Sequence, residues 1–285
     1  MTESGKTVLI TGATDGLGRA TAIHLAERGY RVWAGGRNAE KRASLAQLAR
    51  ERGLSIEVLE MDVCDDGSIE RAVSAAESQS ALDVLINNAG FAVCATVEEI
   101  SLTDLQQQFD TNFFGVVRVT QRVLPHMRRR GRGRIINMSS IAGKFSWPLF
   151  GPYSASKFAL EGLTDALRIE ARMFGIRVVL IEPGYIPSNM GAVTEALTGP
   201  YKQLAKDGPY ARLYAAFKKN WKNTTRAPRY TPEDCARAIR HAIETPEPKP
   251  RYTVTRNAAV LSWARRVLTD SYLDKRTARA FGVEA

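Results

Sequence analysis

Through the first 185 residues, short β-branched runs alternate with longer helical patterns. The strand candidates are Thr7–Thr11, Arg31–Gly35, Ser55–Glu60, Leu82–Asn87, Arg134–Met138 and Arg177–Ile181. Helical stretches fall between them near 16–29, 38–52, 66–78, 104–130 and 153–174. Repeated strand–helix–strand units join by right-handed crossovers, so the pattern predicts an α/β chain with a doubly wound parallel sheet and helices on both faces. Such sheets take their ligands beyond the carboxyl ends of the strands. The residues that follow each strand are therefore the ones to read for chemistry.

After Pro183-Gly184 the pattern changes. Residues 185–230 are aromatic, basic and without clear periodicity. A helix is expected next, with Thr231 as its N-cap, Pro232 at its first position, and Glu233 and Asp234 in the first turn. A strand at Tyr252–Thr255 and a helical region from about Ala258 complete the chain.

Several classes of function are disfavoured. No run of 18 apolar residues appears, so no membrane span is expected. Met1–Lys6 holds no signal-peptide core, which makes the cytoplasm the default compartment. Cys64, Cys94 and Cys235 are far apart and lack ligand spacing, and His24, His126 and His241 do not cluster with them. Free thiols and no metal are expected. The net charge of +10 is uneven: residues 201–285 hold 18 Lys+Arg against 8 Asp+Glu, while the first 200 residues balance at 22 each. A solvated basic surface is the plain reading, and the run Arg128–Arg134 reads as a helix C-terminus. No nucleic-acid motif is present, so no nucleic-acid partner is expected. Membrane contact through the basic C-terminal region, Ala258–Arg266 above all, is the alternative to docking on the domain.

Each strand end carries a distinct signal. The first runs into Gly12-Ala13-Thr14-Asp15-Gly16-Leu17-Gly18, where glycines allow a tight turn and close approach of a pyrophosphate to a helix N-terminus. The spacing, Gly-x3-Gly-x-Gly, differs from the general Gly-x-Gly-x-x-Gly fingerprint. The second ends in Gly35-Gly36-Arg37-Asn38. No carboxylate stands there to accept from ribose hydroxyls, whereas Arg37 offers a charged fork suited to a 2′-phosphate. Asp15 opposes this, since it would repel a phosphate nearby. The fourth ends in Asn87-Asn88-Ala89-Gly90. Tyr153 and Lys157 lie four apart, on one helical face. A nearby ammonium favours the phenolate and pulls a tyrosine toward the operating pH, where an acid/base works best.

Together these motifs resemble the short-chain dehydrogenase/reductase family across about residues 5–190. The resemblance implies a single Rossmann-type domain over 1–285. Residues 5–184 would form the cofactor-binding and catalytic core, 185–230 a substrate lid, and 231–285 a C-terminal helix–strand–helix segment. It implies NADP(H) bound by Gly12, Thr14, Gly16, Leu17, Gly18, Arg37, the adenine-contacting Asp62 and Val63, Asn88, Ala89, Gly90, Pro183, Gly184, Ile186 and Ser188, besides Tyr153 and Lys157. It implies catalysis by Asn112, Ser140, Tyr153 and Lys157. Ser140 is thirteen residues before Tyr153, the family's distance, and is chosen over Ser139. Ser140 would bind the carbonyl oxygen, Tyr153 would protonate it, Lys157 would bind the ribose and lower the tyrosine pKa, and Asn112 would hold a water. The implied activity is reversible carbonyl reduction.

Tyr153–Leu163 also looks like the 17β-hydroxysteroid and retinol dehydrogenase branches. A bulky apolar substrate, of steroid, retinoid or polyketide type, is expected from Phe91, Val93, the run Phe145, Trp147, Pro148, Leu149 and Phe150, and residues of 185–230 (Tyr185, Met190, Leu197, Tyr201, Leu204, Tyr210, Tyr214, Phe217 and Trp221). The alternatives are a 3-oxoacyl reductase whose Lys218, Lys219 and Lys222 attract an anionic carrier, and an idle NADP(H)-binding sensor. The resemblance implies pairing through the long helices 104–130 and 153–174, and the extra C-terminal segment would cover the edge through which tetramers complete themselves, so a homodimer is expected before a homotetramer.

Overall fold

The computed structural model describes residues 5–187, 199–201, 204–225 and 229–283. Seven parallel strands form one sheet in the order β3-β2-β1-β4-β5-β6-β7. They are β1 (Thr7–Ile10), β2 (Arg31–Gly36), β3 (Ile56–Glu60), β4 (Val84–Asn87), β5 (Gly133–Met138), β6 (Ile176–Glu182) and β7 (Arg251–Thr253). The order in which strands are added reverses between β1 and β4, which pair directly, with Val8 beside Val84. That switch point opens a crevice at the strands' carboxyl ends.

Alternation along each strand feeds two cores. Val8, Ile10, Val32 and Ile86 face α1 (Gly16–Ala26), α2 (Ala39–Glu51) and the helix Pro232–Glu244. Leu9, Trp33, Leu85 and Ile135 face α3 (Asp66–Gln79), α5 (Gly115–Arg130) and α6 (Gly151–Arg172). Burial on both faces explains why these strands read as nearly continuous apolar runs. The helix expected from Thr231 is present, and the Thr231 main-chain N–H donates to the Asp234 carboxylate at 2.7 Å.

Two segments differ from the sequence reading. The expected continuous helix 104–130 is α4 (Leu102–Phe109), a π-helical turn (Asp110–Phe114) and then α5. The inserted turn rotates Asn112 into the interior, where it is fully buried. Residues 185–230 are not irregular throughout: a short turn α7 (Leu204–Asp207) precedes a 15-residue helix α8 (Ala211–Thr225). Its apolar face (Tyr214, Phe217, Trp221) repeats at three to four residues, a period that its many Lys, Asn and Thr residues obscure. The helix Pro232–Glu244 is α9, and α10 (Arg256–Val267) and α11 (Asp270–Ala280) end the chain.

Candidate active site

The turn after β1 is held by the loop after β4. Thr11 Oγ1 accepts from the main-chain N–H groups of Asn88 and Ala89, both at 3.0 Å. Asn88 Nδ2 in turn donates to the carbonyls of Thr11 and Gly12, at 2.9 and 3.0 Å. Gly12 sits at φ +63, and a Cβ there would fall 2.8 Å from Ala89 Cα. A Cβ on Gly18 would fall 2.4 Å from Asn88 Nδ2. The turn is therefore compressed against Asn88 and Ala89, which leaves the N-terminal end of α1 facing the crevice. Asp15 caps α1 by accepting from Gly16 N at 2.8 Å. Its other oxygen is paired with Lys41 in the first turn of α2. The charge that seemed to oppose a phosphate is thus offset by a neighbouring cation.

Arg37 follows β2 at the expected place. Its guanidinium is 3.9 Å from the Asp62 carboxylate, and its side chain is 70% exposed. Arg42 braces the strand end from below, donating to the carbonyls of Gly36 and Arg37 and to Glu60. Asp62 accepts from Cys64 N at 2.9 Å, and Val63 packs against Gly115. Pro183 and Gly184 follow β6: the Pro183 carbonyl accepts from Ile141 N at 2.9 Å. Ile186 is buried in the core on the α1 side. Ser188 lies outside the described residues.

The remaining candidates gather beyond β4 and β5. Tyr153 and Lys157 stand one turn apart on α6, with the ammonium 5.7 Å from the phenol ring centroid. The Ser140 hydroxyl lies beside the Tyr153 phenol and favours its ionised form. The neighbouring Ser139 hydroxyl is buried at Gly143 instead. Lys157 donates to the Met138 carbonyl at 2.9 Å. Asn112 Nδ2 donates to the Phe91 carbonyl at 2.9 Å and to Ser156 Oγ at 3.1 Å, while its Oδ1 accepts from Phe91 N at 3.0 Å. Gly90 keeps this corner open: a Cβ would come within 3.0 Å of Asn112 Oδ1 and 3.7 Å of Lys157 Nζ. Burial pushes the Tyr153 phenol up to about 12, opposed by the Ser140 hydroxyl, and brings the Lys157 ammonium down to about 8. Both shifts disfavour the charged form, as desolvation does.

Residues 6–197 match the short chain dehydrogenase family. The chain belongs to the short-chain dehydrogenases. It is 35% identical to the uncharacterized oxidoreductase YbbO of Escherichia coli (strain K12) over 278 residues, 95% of this chain and 93% of that one. It is 40% identical to human retinol dehydrogenase 8 over 188 residues, 65% of this chain and 60% of that one. Among solved structures, actinorhodin polyketide ketoreductase with NADPH superposes with a TM-score of 0.71 at 29% identity, covering 90% of this chain and 92% of that one. The chain is therefore an oxidoreductase of this family, and its fold and crevice are those that such enzymes use for a nicotinamide cofactor.

In this short-chain dehydrogenase, aromatic rings roof the Tyr153 phenol. Trp147 stacks on Phe150 at 5.0 Å, and Phe150 meets Tyr153 edge-on at 5.6 Å. From α8, Phe217 and Trp221 lie 5.6 and 6.0 Å from Phe150, and Tyr185 meets Trp221 at 5.3 Å. Leu149 takes φ +70, rare for a non-glycine residue, and its carbonyl accepts from Ala95 N at 3.1 Å. This ties the 145–150 loop to the segment after β4.

The other tyrosines expected to line a pocket do something else. Tyr201 donates to Asp104, Tyr210 to Glu98, and Tyr214 to Glu99 at 2.8 Å. Tyr201 also packs with Val93 and Ala95. Three phenols from the segment preceding and including α8 thus fasten it to carboxylates of residues 98–104. Leu204 is partly exposed, and Met190 and Leu197 lie outside the described residues.

Sequence reading missed Thr11, Lys41 and a buried charge cluster behind Lys157. In that cluster Arg251 Nε lies 3.0 Å from Glu161 and 3.2 Å from Glu182, and Lys144 bonds Glu161. Burial and the adjacent Glu161 raise the Glu182 carboxyl, while Lys144 and Arg251 oppose that rise. Only Lys41 had a local sign, since Asn38 as N-cap places it in the first turn of α2. Among the described residues, no three His, Cys, Asp or Glu side chains group as a metal site would require.

Proposed function

We propose that this chain is an NADP(H)-dependent dehydrogenase/reductase that interconverts a bulky apolar carbonyl and its secondary alcohol. The carrying observation is the convergence of Ser140, Tyr153 and Lys157 under an aromatic roof beside the open corner at Gly90. The compressed glycine turn and that corner form a cradle that suits a nicotinamide dinucleotide. A nicotinamide cofactor held there would supply the hydride for carbonyl reduction and take it up in alcohol oxidation. Ser140 donates to the substrate oxygen, and Tyr153 gives that oxygen its proton. Lys157 holds the ribose and, once solvent and substrate replace the packed roof, draws the phenol down from its buried value. The Asn112 amide is spent on Phe91 and Ser156. It fixes the β4 loop against α6, and its main chain holds the water through which Tyr153 is reprotonated.

Arg37 supports NADP(H) over NAD(H), with Lys41 relieving Asp15. The alignment of Phe217, Trp221, Trp147 and Phe150 supports an apolar ring as substrate, in keeping with relatives named for retinol and polyketide reduction. The segment 185–230 acts as a lid, with α8 as its moving part and the Tyr–carboxylate bonds as its fastening. A homodimer is supported by Phe158, Ile169 and Met173, which α6 leaves exposed. A monomer by light scattering would contradict the pairing.

A turnover screen of steroid, retinoid and polycyclic carbonyls against small hydrophilic ketones, with NADPH and NADH, tests the reading. Apolar ring substrates should give much the higher kcat/KM. Equal efficiency on small hydrophilic ketones would overturn the substrate class. Exposed Lys218, Lys219 and Lys222 on α8 favour a second reading, an acyl chain on an anionic carrier. A carrier-borne substrate should lose efficiency steeply with salt, and a free apolar ketone should not.

A further inference from the structure

The helix α10 carries its apolar residues on the wrong side for a helix that only packs on its domain. Its inner face is anchored: Ala258 is buried, and the Thr255 hydroxyl that caps the helix occupies the space beside Gly184, 2.2 Å from where a Cβ would stand. Its outer face presents Val260, Trp263 and Val267, at spacings of three and four residues, with relative exposures of 55%, 64% and 55%. Leu268 and Tyr272 extend the same exposed run into α11. A stripe of this spacing is one helix face. Contiguous exposed apolar surface of this kind marks an interaction site.

The surroundings of the stripe are basic. Arg256 and Arg266 border it on α10, and Lys275, Arg276 and Arg279 are exposed on α11. Exposed Lys218, Lys219 and Lys222 on α8 belong to the same body, because Asn220 donates to the Ala280 carbonyl at 2.9 Å and so joins α8 to α11. Residues 201–285, which include this body, hold 18 Lys+Arg against 8 Asp+Glu, whereas the rest of the chain is balanced. Two copies meeting through such a surface would bring like charges together. An anionic surface is complementary to it, and one with an apolar interior also takes up Trp263 and the valines. Among the described residues no helix is long and apolar enough to cross a membrane, so the contact is peripheral.

We propose that the Val260–Trp263–Val267 face of α10, with its flanking arginines and lysines, docks the protein on the surface of anionic membranes. A short apolar face with basic flanks lies in the headgroup region and is drawn there by anionic lipid. The helix that follows the dock, α11, lines a surface hollow with Trp147 and Pro148 through Asp274 and Ala278.

Flotation of the full chain with phosphatidylcholine vesicles, with and without phosphatidylglycerol, tests this. The chain should float with the anionic vesicles only and be released by high salt. Trp263→Asp should lower that binding by roughly tenfold or more, and Trp263→Phe should retain it. Both side chains stand in solvent, so melting curves should match the wild type and show that each variant is folded. Undiminished binding of Trp263→Asp, or no preference for anionic vesicles, would overturn the proposal. So would an oligomer that Trp263→Asp dissociates, or a Trp263-dependent affinity for duplex DNA without vesicle binding.

Discussion

Arg37→Ala should weaken NADPH and leave NADH nearly untouched. A hydrogen bond to a charged group contributes about 1.5–3 kcal/mol net in favourable settings. Here the Arg37 side chain is 70% exposed. Two unit charges about 4 Å apart in a water-like medium attract by only about 1 kcal/mol, so the lower end applies. The expected loss is about 1–1.5 kcal/mol, or roughly tenfold in NADPH affinity. Removing Arg37 also strips Asp62 of the guanidinium 3.9 Å away. The freed carboxylate then repels a 2′-phosphate but can accept from a ribose 2′-hydroxyl, so both consequences move preference the same way. The assay is fluorescence titration of each reduced cofactor at fixed low salt, repeated at higher salt, where the difference should shrink. Equal losses for the two cofactors would refute the assignment, and so would an unchanged NADPH affinity.

Three further outcomes follow from the geometry. Gly18→Ala should lower both cofactor affinity and melting temperature, because its Cβ would meet Asn88 Nδ2 at 2.4 Å; wild-type binding would show that the turn is not compressed. Lys157→Met should abolish turnover yet not destabilise the fold at neutral pH. In the wild type a lysine brought down to about 8 costs stability while protonated, and that cost fades as pH rises from 8 toward 10.5. Wild type should therefore gain up to about 3 kcal/mol on the methionine variant across that range, measured by denaturation at several pH values, and a flat difference would contradict the buried ammonium. Tyr214→Phe removes the bond to Glu99 and should loosen α8 by about 1 kcal/mol, seen as faster amide exchange over residues 211–225 with the sheet unchanged.

What the sequence disclosed follows from the range of the interactions involved. The strand–helix alternation and the Gly12–Gly18 turn are local, and so is the pairing of Tyr153 with Lys157 on one helical face. Each could be read without knowing any distant partner. The choice of Ser140 over Ser139 needed a spacing of thirteen residues, which no local pattern supplies. The π-helical turn at Asn112 was not legible, because the apolar period of 104–130 continues on either side of it and the turn is fixed by Phe91 and Ser156. The helix α8 was hidden for a related reason: its one tyrosine, Tyr214, finds its partner at Glu99, 115 positions away in the chain. Its Lys and Asn residues diluted the one apolar face it has. Asp15 illustrates the same limit, since a charge that looks adverse in the turn is offset by Lys41, 26 positions on. At α10 the residue types were legible but not their direction, because only the structure shows Ala258 turned inward and Trp263 outward.

The most direct test of the central claim is single-turnover reduction of an apolar ring ketone by Tyr153→Phe with NADPH. The variant removes one oxygen from a packed aromatic cluster and little else. NADPH affinity and thermal stability should stay near wild type, while the chemical step should slow by roughly a hundredfold or more, the scale of a lost general acid. Turnover close to wild type would contradict the account and remove Tyr153 from the reaction.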